Sequence, residues 1–178
     1  PKLALLDALD RYRDWPIVID EGLHPNIVGS IELVSGPREL VRLPEGVLLQ
    51  LRHAVSIGSP GYTAYEYRYD PQQGPPDSER EHTLFSPVAL DSVRQRAWRS
   101  AGATPRSERR IYITRPKGSV RPFVGGDRVE QFFASQGFEV VDTSGMNARE
   151  QVQLFSTARC IAGQSGAGMT NLVFAPSG

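Results

Sequence analysis

The residues with the clearest chemical potential lie near the end of the chain, at Gly163-Gln164-Ser165-Gly166-Ala167-Gly168. Glycines at this density let backbone N–H groups come close to an anion. The loop follows an apolar run, Arg159-Cys160-Ile161-Ala162, and a helical pattern is expected from Met169 onward. The positive end of that helix would add to the pull on an anion. Two nucleotide signatures are incomplete here. Gly166-x-Gly168-x-x-Asn171 lacks the last glycine of the dinucleotide fingerprint, and no Walker lysine is present. The turn Gly163-x-Ser165-x-Ala167 also has the shape of a nucleophile elbow, but no acid and histidine follow the serine. Arg115 and Arg121 stand just after another apolar run. Arginine binds phosphate bidentately and keeps its charge. His24, His53 and His82 show no metal-ligand spacing. His53 reads as a packing or surface residue. His24 follows Asp20 and Glu21 beyond a strand end, where it could start a helix before Pro25 or act as a general base.

Those residues need elements to position them. Pro16-Ile17-Val18-Ile19-Asp20 reads as a short buried strand. Residues 24–34 place Ile27, Val28, Ile31 and Val34 at helical spacing, and Gly36-Pro37 ends that helix. Leu40-Val41-Arg42-Leu43 alternates as a strand does, residues 47–57 alternate loosely, and residues 3–9 are helical in pattern. Ser86-Pro87 opens a helix that runs to Gly102, with Ser86 as N-cap. Strands are expected at 111–114, 139–141 and 159–162. Between them fall a helix over 127–136, with Val129, Phe132 and Phe133 inward, and a helix capped by Asn147. The order strand, helix, strand, helix, strand, glycine loop predicts a parallel, doubly wound α/β sheet. Its ligand edge is the carboxyl end of the strands, where Arg115 and the 163–168 loop both fall.

The chain of 178 residues is 39% hydrophobic and 22% charged, which fits folded protein rather than disorder. Formal net charge is zero, without the basic excess of a duplex nucleic-acid binder. The single cysteine, Cys160, excludes an intrachain disulfide and a cysteine-based zinc site, and its apolar neighbours predict burial. No apolar run approaches the roughly 18 residues a membrane span needs. The chain starts at Pro1 and stops just after an apolar segment, so both ends read as truncated. Residues 58–86 are rich in Gly and Pro and contain Tyr62, Tyr65, Tyr67 and Tyr69. They read as a weakly ordered loop, either a plain surface connection or an acceptor-binding lid. Residues 16–57 are expected to form a smaller α/β unit across a cleft from the second half.

Several segments, taken in order, resemble one family. They are Ile111-Tyr112-Ile113-Thr114-Arg115, Arg121 with Gly126-Asp127, and Gly137-Phe138-Glu139-Val140-Val141. Glu150-Gln151-Val152-Gln153-Leu154-Phe155 and Gly163-Gln164-Ser165-Gly166-Ala167-Gly168-Met169-Thr170-Asn171-Leu172-Val173-Phe174 continue the series. Phe85-Ser86-Pro87 is similar to the connector that precedes them. The pattern is that of glycosyltransferase family 61, which is associated with capsular polysaccharide biosynthesis. Ser165 stands where the family has a histidine, and Gly126-Asp127 where it has Asn-Glu.

The resemblance implies a GT-B-like enzyme with two Rossmann-like halves and parallel sheets. Residues 1–85 would form the acceptor side and residues 86–178 the nucleotide-sugar side. It implies inverting, metal-independent transfer of a sugar from a nucleotide-sugar donor to a glycan acceptor, with no further cofactor. The expected location is cytoplasmic, or peripheral at the inner face of the membrane. Arg115, Arg121, Gly163, Ser165, Gly166, Ala167, Gly168 and Asn171 would bind the donor. Asp20, Glu21 and His24 are the candidates for the catalytic base. Two other readings stay open: a non-catalytic relative that binds nucleotide or glycan, and an α/β hydrolase using Ser165.

Overall fold

The computed structural model describes residues 2–6, 9–58, 61–62, 84–115 and 124–177. Helix α1 (Lys2–Leu6) is followed by β1 (Ile17–Asp20), α2 (Pro25–Ser35) and β2 (Leu40–Leu43). β1 and β2 pair in parallel, from Ile17 opposite Leu40 to Asp20 opposite Leu43. Parallel neighbours need a crossover, and α2 supplies it. Two short strands, β3 (Gly61–Tyr62) and β4 (Leu84–Phe85), pair antiparallel. Helix α3 (Pro87–Ala101) then leads into the second sheet.

That sheet is built from β5 (Arg109–Ile113), β6 (Glu139–Val141) and β7 (Ala158–Gly163), with α4 (Gly126–Ser135) and α5 (Ala148–Ser156) between them. All its pairings are parallel and the spatial order is β6-β5-β7. The three strands fall where the sequence predicts them, and so does the doubly wound order. Successive strand residues face opposite sides, so Ile111 and Ile113 pack with Leu154 and Phe155 beneath α5. Tyr112 faces the other way and stacks on Phe133 of α4, with ring centroids 4.5 Å apart. Burial, and secondarily the Glu130 carboxylate, raises the Tyr112 phenol above its ordinary pKa. The chain therefore leaves β5 on one face of the sheet and reaches β7 from the other. This creates a topological switch point between β5 and β7, the place where open α/β sheets take ligands.

Local signals account for the helix ends. Ser86 Oγ accepts the Ala89 N–H at 3.3 Å, Pro87 occupies the first turn, and Gly102 closes α3 in the left-handed conformation. Asn147 and Glu150 form a reciprocal capping box, with bonds of 3.0 and 2.8 Å, at the start of α5. The helices then pack on one another. Leu33 of α2 meets Ala97 and Ala101 of α3 and Ala148 and Val152 of α5. Small residues at that contact let the helix backbones approach closely, so α2 is held against the second sheet's helical layer.

The structure departs from the sequence reading at five places. The strand at 17–20 is not buried throughout: Ile19 is buried but Val18 is exposed, because only one face of this two-stranded sheet is covered among the described residues. Residues 47–57 carry no strand, and Leu48 is 98% exposed; their alternation has no neighbouring strand to pair with among the described residues. Phe132 is exposed rather than inward. Consecutive helix residues are about 100° apart, and Phe133 holds the seat over Tyr112. Cys160 is exposed, because α4 lies over β6 and β5 and leaves that face of β7 largely bare. The final helix is a 3-10 helix, Ala167–Phe174, rather than an α-helix. Its Gly, Thr, Asn and Val content is weak for α-helix. Asn171 Nδ2 also donates to the Gly168 carbonyl at 3.2 Å, a local bond that competes with α-helical geometry. The 58–86 loop lies largely outside the described residues.

Candidate functional site

Three strand ends and one helix start converge on a cleft of about 750 Å³. Thr114 and Arg115 leave β5, Asp142 and Thr143 leave β6, and the glycine loop leaves β7. The opposite wall is the first turns of α2, with His24, Asn26, Ile27 and Ser30. The position of that wall follows from the packing of α2 on α3 and α5. Asn26 Nδ2 donates to the Met146 carbonyl at 3.1 Å and ties it to the second half.

Arg115 organises the loop side. Its Nη2 donates to the Ser165 carbonyl at 2.7 Å, so the guanidinium lies directly against the glycine turn. Thr114 Oγ1, one residue earlier, donates to the Glu130 carboxylate. Asn171 Nδ2 also donates to Gln151 Oε1 at 2.6 Å, and Gln151 Nε2 donates to the Met146 carbonyl at 2.9 Å. That chain of amides ties the middle of the 3-10 helix to α5. Its far end is held by Trp98, whose Nε1 donates to the Phe174 carbonyl at 2.9 Å, and by Arg94, whose Nε donates to the Val173 carbonyl at 2.8 Å. The first N–H groups of any helix lack partners within it, and here they stand beside Arg115.

Gly163 is required by space. A Cβ there would lie 2.9 Å from the Ile113 carbonyl oxygen and 3.1 Å from Met169 Sδ. The first neighbour is backbone and cannot swing aside. Gly163→Ala should push the end of β7 away from β5, costing about 1–3 kcal/mol. In a chain of this size that lowers Tm by about 2–12 °C, read by differential scanning calorimetry. An unchanged Tm would mean that the β5–β7 contact tolerates the methyl group.

The predicted residues divide clearly. His24, Arg115, Gly166, Ala167, Gly168 and Asn171 line the cleft. Gly163 sits behind them under Ile113, and Ser165 is exposed at the rim, contributing its carbonyl to Arg115. Asp20 and Glu21 are exposed and do not line the cleft; Asp20 Oδ1 accepts the Gly22 N–H at 2.8 Å instead. Arg121 lies outside the described residues. His24 is the N-cap of α2, its Nδ1 accepting the Asn26 N–H at 3.2 Å. The cleft also holds Asn26, Ile27, Asp142, Thr143, Gln151 and Thr170, which sequence reasoning did not single out. For Asp142 and Thr143 a signal existed: they follow β6 at the same carboxyl edge that marked Arg115. For Asn26 and Ile27 no local signal exists, because helix packing places them there.

The hydrolase reading does not survive this geometry. A nucleophile elbow holds its serine in a strained turn. Among the described residues no non-glycine residue has a positive φ, and the Ser165 side chain lies outside the cleft lining.

No curated protein and no solved structure matches the chain significantly. No helix among the described residues is long and apolar enough to cross a membrane. The family described as Glycosyltransferase 61 matches residues 43–178. The match takes in more than half of the chain and the whole of the β6-β5-β7 sheet, with Arg115 and the glycine loop. The strand-end side of the switch-point cleft therefore sits inside the matched region, while the α2 wall precedes it, and this chain belongs to the glycosyltransferase 61 family.

Proposed function

We propose that the cleft binds a nucleotide-sugar donor and that the protein transfers the sugar to a glycan acceptor with inversion, without a metal, in a GT-B-like arrangement. In this reading residues 86–178 hold the donor and the N-terminal half faces the acceptor. The role in the cell is surface polysaccharide synthesis. The observation that carries the reading is the convergence of Arg115, two residues past the end of β5, with the glycine turn at the switch point.

The chemistry follows from charge. The acceptor oxygen attacks the anomeric carbon, and the bond from that carbon to the diphosphate oxygen breaks. Negative charge grows on the departing nucleoside diphosphate. The Arg115 guanidinium and the N–H groups at the start of the 3-10 helix stabilise it there. Asn171 keeps that helix in place through Gln151. The acceptor hydroxyl must lose a proton, and of the candidates Asp20, Glu21 and His24 only His24 lines the cleft. Its neutral ring accepts at Nδ1 from Asn26, so its hydrogen sits on Nε2. To serve as base, the ring gives up the cap bond, a cost of about 0.5–1.5 kcal/mol.

The test is transfer itself. The protein is incubated with UDP-, GDP- and CDP-sugars and oligosaccharide acceptors, with and without EDTA. Release of a nucleoside diphosphate, with a product of inverted anomeric configuration by NMR and no effect of EDTA, is the expected result. Binding of a donor with no transfer to any acceptor would favour a non-catalytic relative instead.

A further inference from the structure

We infer that the Asp142 carboxylate reads a vicinal diol of the donor, an inference that rests on the nucleotide-sugar reading of the cleft. Among the described residues that line the cleft, Asp142 brings the only carboxylate and Arg115 the only guanidinium. The two follow neighbouring strands at the same edge of the sheet. Val141 pairs with Ile113, so Asp142 follows β6 where Thr114 and Arg115 follow β5. The glycine turn reaches the same place, since a Cβ on Gly168 would lie 3.3 Å from Thr143 Oγ1.

Asp142 is exposed, and one oxygen of its carboxylate is held by the backbone. Its Oδ1 accepts the Ser144 N–H at 2.9 Å, closing an Asx turn. Its other oxygen has no hydrogen-bond partner among the described residues. An ionised carboxylate only accepts hydrogen bonds, and so does a diphosphate. Asp142 therefore cannot hold the diphosphate that Arg115 attracts, and repels it. Nor does Asp142 belong, among the described residues, to a group of three or more His, Cys, Asp or Glu side chains that could hold a metal ion. What a carboxylate in this position can bind is hydrogen-bond donors, and a vicinal diol offers it two at once. Two parts of a nucleotide sugar carry adjacent hydroxyls: the ribose and the transferred sugar. Cation and carboxylate side by side then give the donor one polarity in the cleft, anion toward Arg115 and hydroxyls toward Asp142.

Calorimetric titration of the wild type, Asp142→Asn and Asp142→Ala tests this. The ligands are UDP, GDP and CDP, their 2′-deoxy counterparts, their sugars, and pyrophosphate. Asparagine keeps the turn through its side-chain oxygen but removes the charge. Loss of a charge-assisted bond pair should weaken binding of the diol ligand by about 10- to 150-fold in Asp142→Ala, with Asp142→Asn between. Pyrophosphate should bind Asp142→Ala at least as well as the wild type; a weaker titration would make the residue a structural support and overturn the inference. If the diol is the ribose, the loss caused by Asp142→Ala will be smaller on the 2′-deoxy nucleotide, which keeps only the 3′-hydroxyl, than on the ribonucleotide. If it belongs to the transferred sugar, both variants will bind the nucleoside diphosphate at least as well as the wild type and the nucleotide sugar more weakly. Equal binding of every nucleotide and nucleotide sugar by the three proteins sinks the Asp142 assignment and leaves the donor reading intact. A wild type that binds no nucleotide and no nucleotide sugar sinks both.

Discussion

Arg115→Ala should lose about 10- to 150-fold in affinity for the nucleoside diphosphate, the equivalent of about 1.5–3 kcal/mol for a charge-assisted hydrogen bond. The residue has two duties that the substitution ends together. It brings the guanidinium in the cleft lining, and it holds the Ser165 carbonyl at 2.7 Å. Arg115→Lys should recover only part of the loss. An ammonium restores the charge but not the planar fork that can bond a phosphate and the loop at once. The fold should be little disturbed, since the side chain stands at the cleft surface rather than in a core cluster. Calorimetric titration with UDP, GDP and CDP against the three proteins decides it. Equal affinity of the wild type and Arg115→Ala for a nucleotide that binds would place the diphosphate somewhere else.

The largest effect on stability is expected from Phe155→Ala. Phe155 is 0% exposed and packs with Ile111, Ile113 and Val141 where α5 meets the sheet. Truncating a buried phenylalanine to alanine costs about 3–5 kcal/mol, from lost transfer energy and the cavity left behind. That is about a fifth or more of the stability of an ordinary domain. Tm should fall by about 6–20 °C. In urea the midpoint should drop while the slope is kept. Phe155→Leu should cost much less, because most of the volume is retained. If alanine and leucine behave alike, the site collapses around the missing ring, and the α5–sheet contact is softer than its burial implies.

The parts of this fold that could be read from sequence are the parts decided locally. Asn147 with Glu150, Ser86 with Pro87, and Gly102 each satisfy helix-end groups within a few residues, so spacing alone locates them. The short apolar strands and the glycine loop were legible for the same reason. Once the strands are parallel, Arg115 and residues 163–168 must share an edge. The opposite wall was not legible. Asn26, Ile27 and Ser30 face the glycine loop only because Leu33 packs on alanines of α3 and α5 far along the chain. Asp20 and Glu21 looked equivalent to His24 from position, but only His24 caps α2 at the cleft. Phe132 and Cys160 were misjudged because burial depends on which neighbouring element covers a face, and neither residue's own segment specifies that.

The bond from Arg115 to the Ser165 carbonyl also bears on the entropy of binding. An arginine side chain gives up about 1.5–2 kcal/mol of rotamer freedom when it is fixed. Here the loop carbonyl fixes it during folding, so the loss does not recur when a donor arrives. A side chain left to wander would have to be ordered at that moment. By the same arithmetic, it would bind the donor about 10- to 30-fold more weakly.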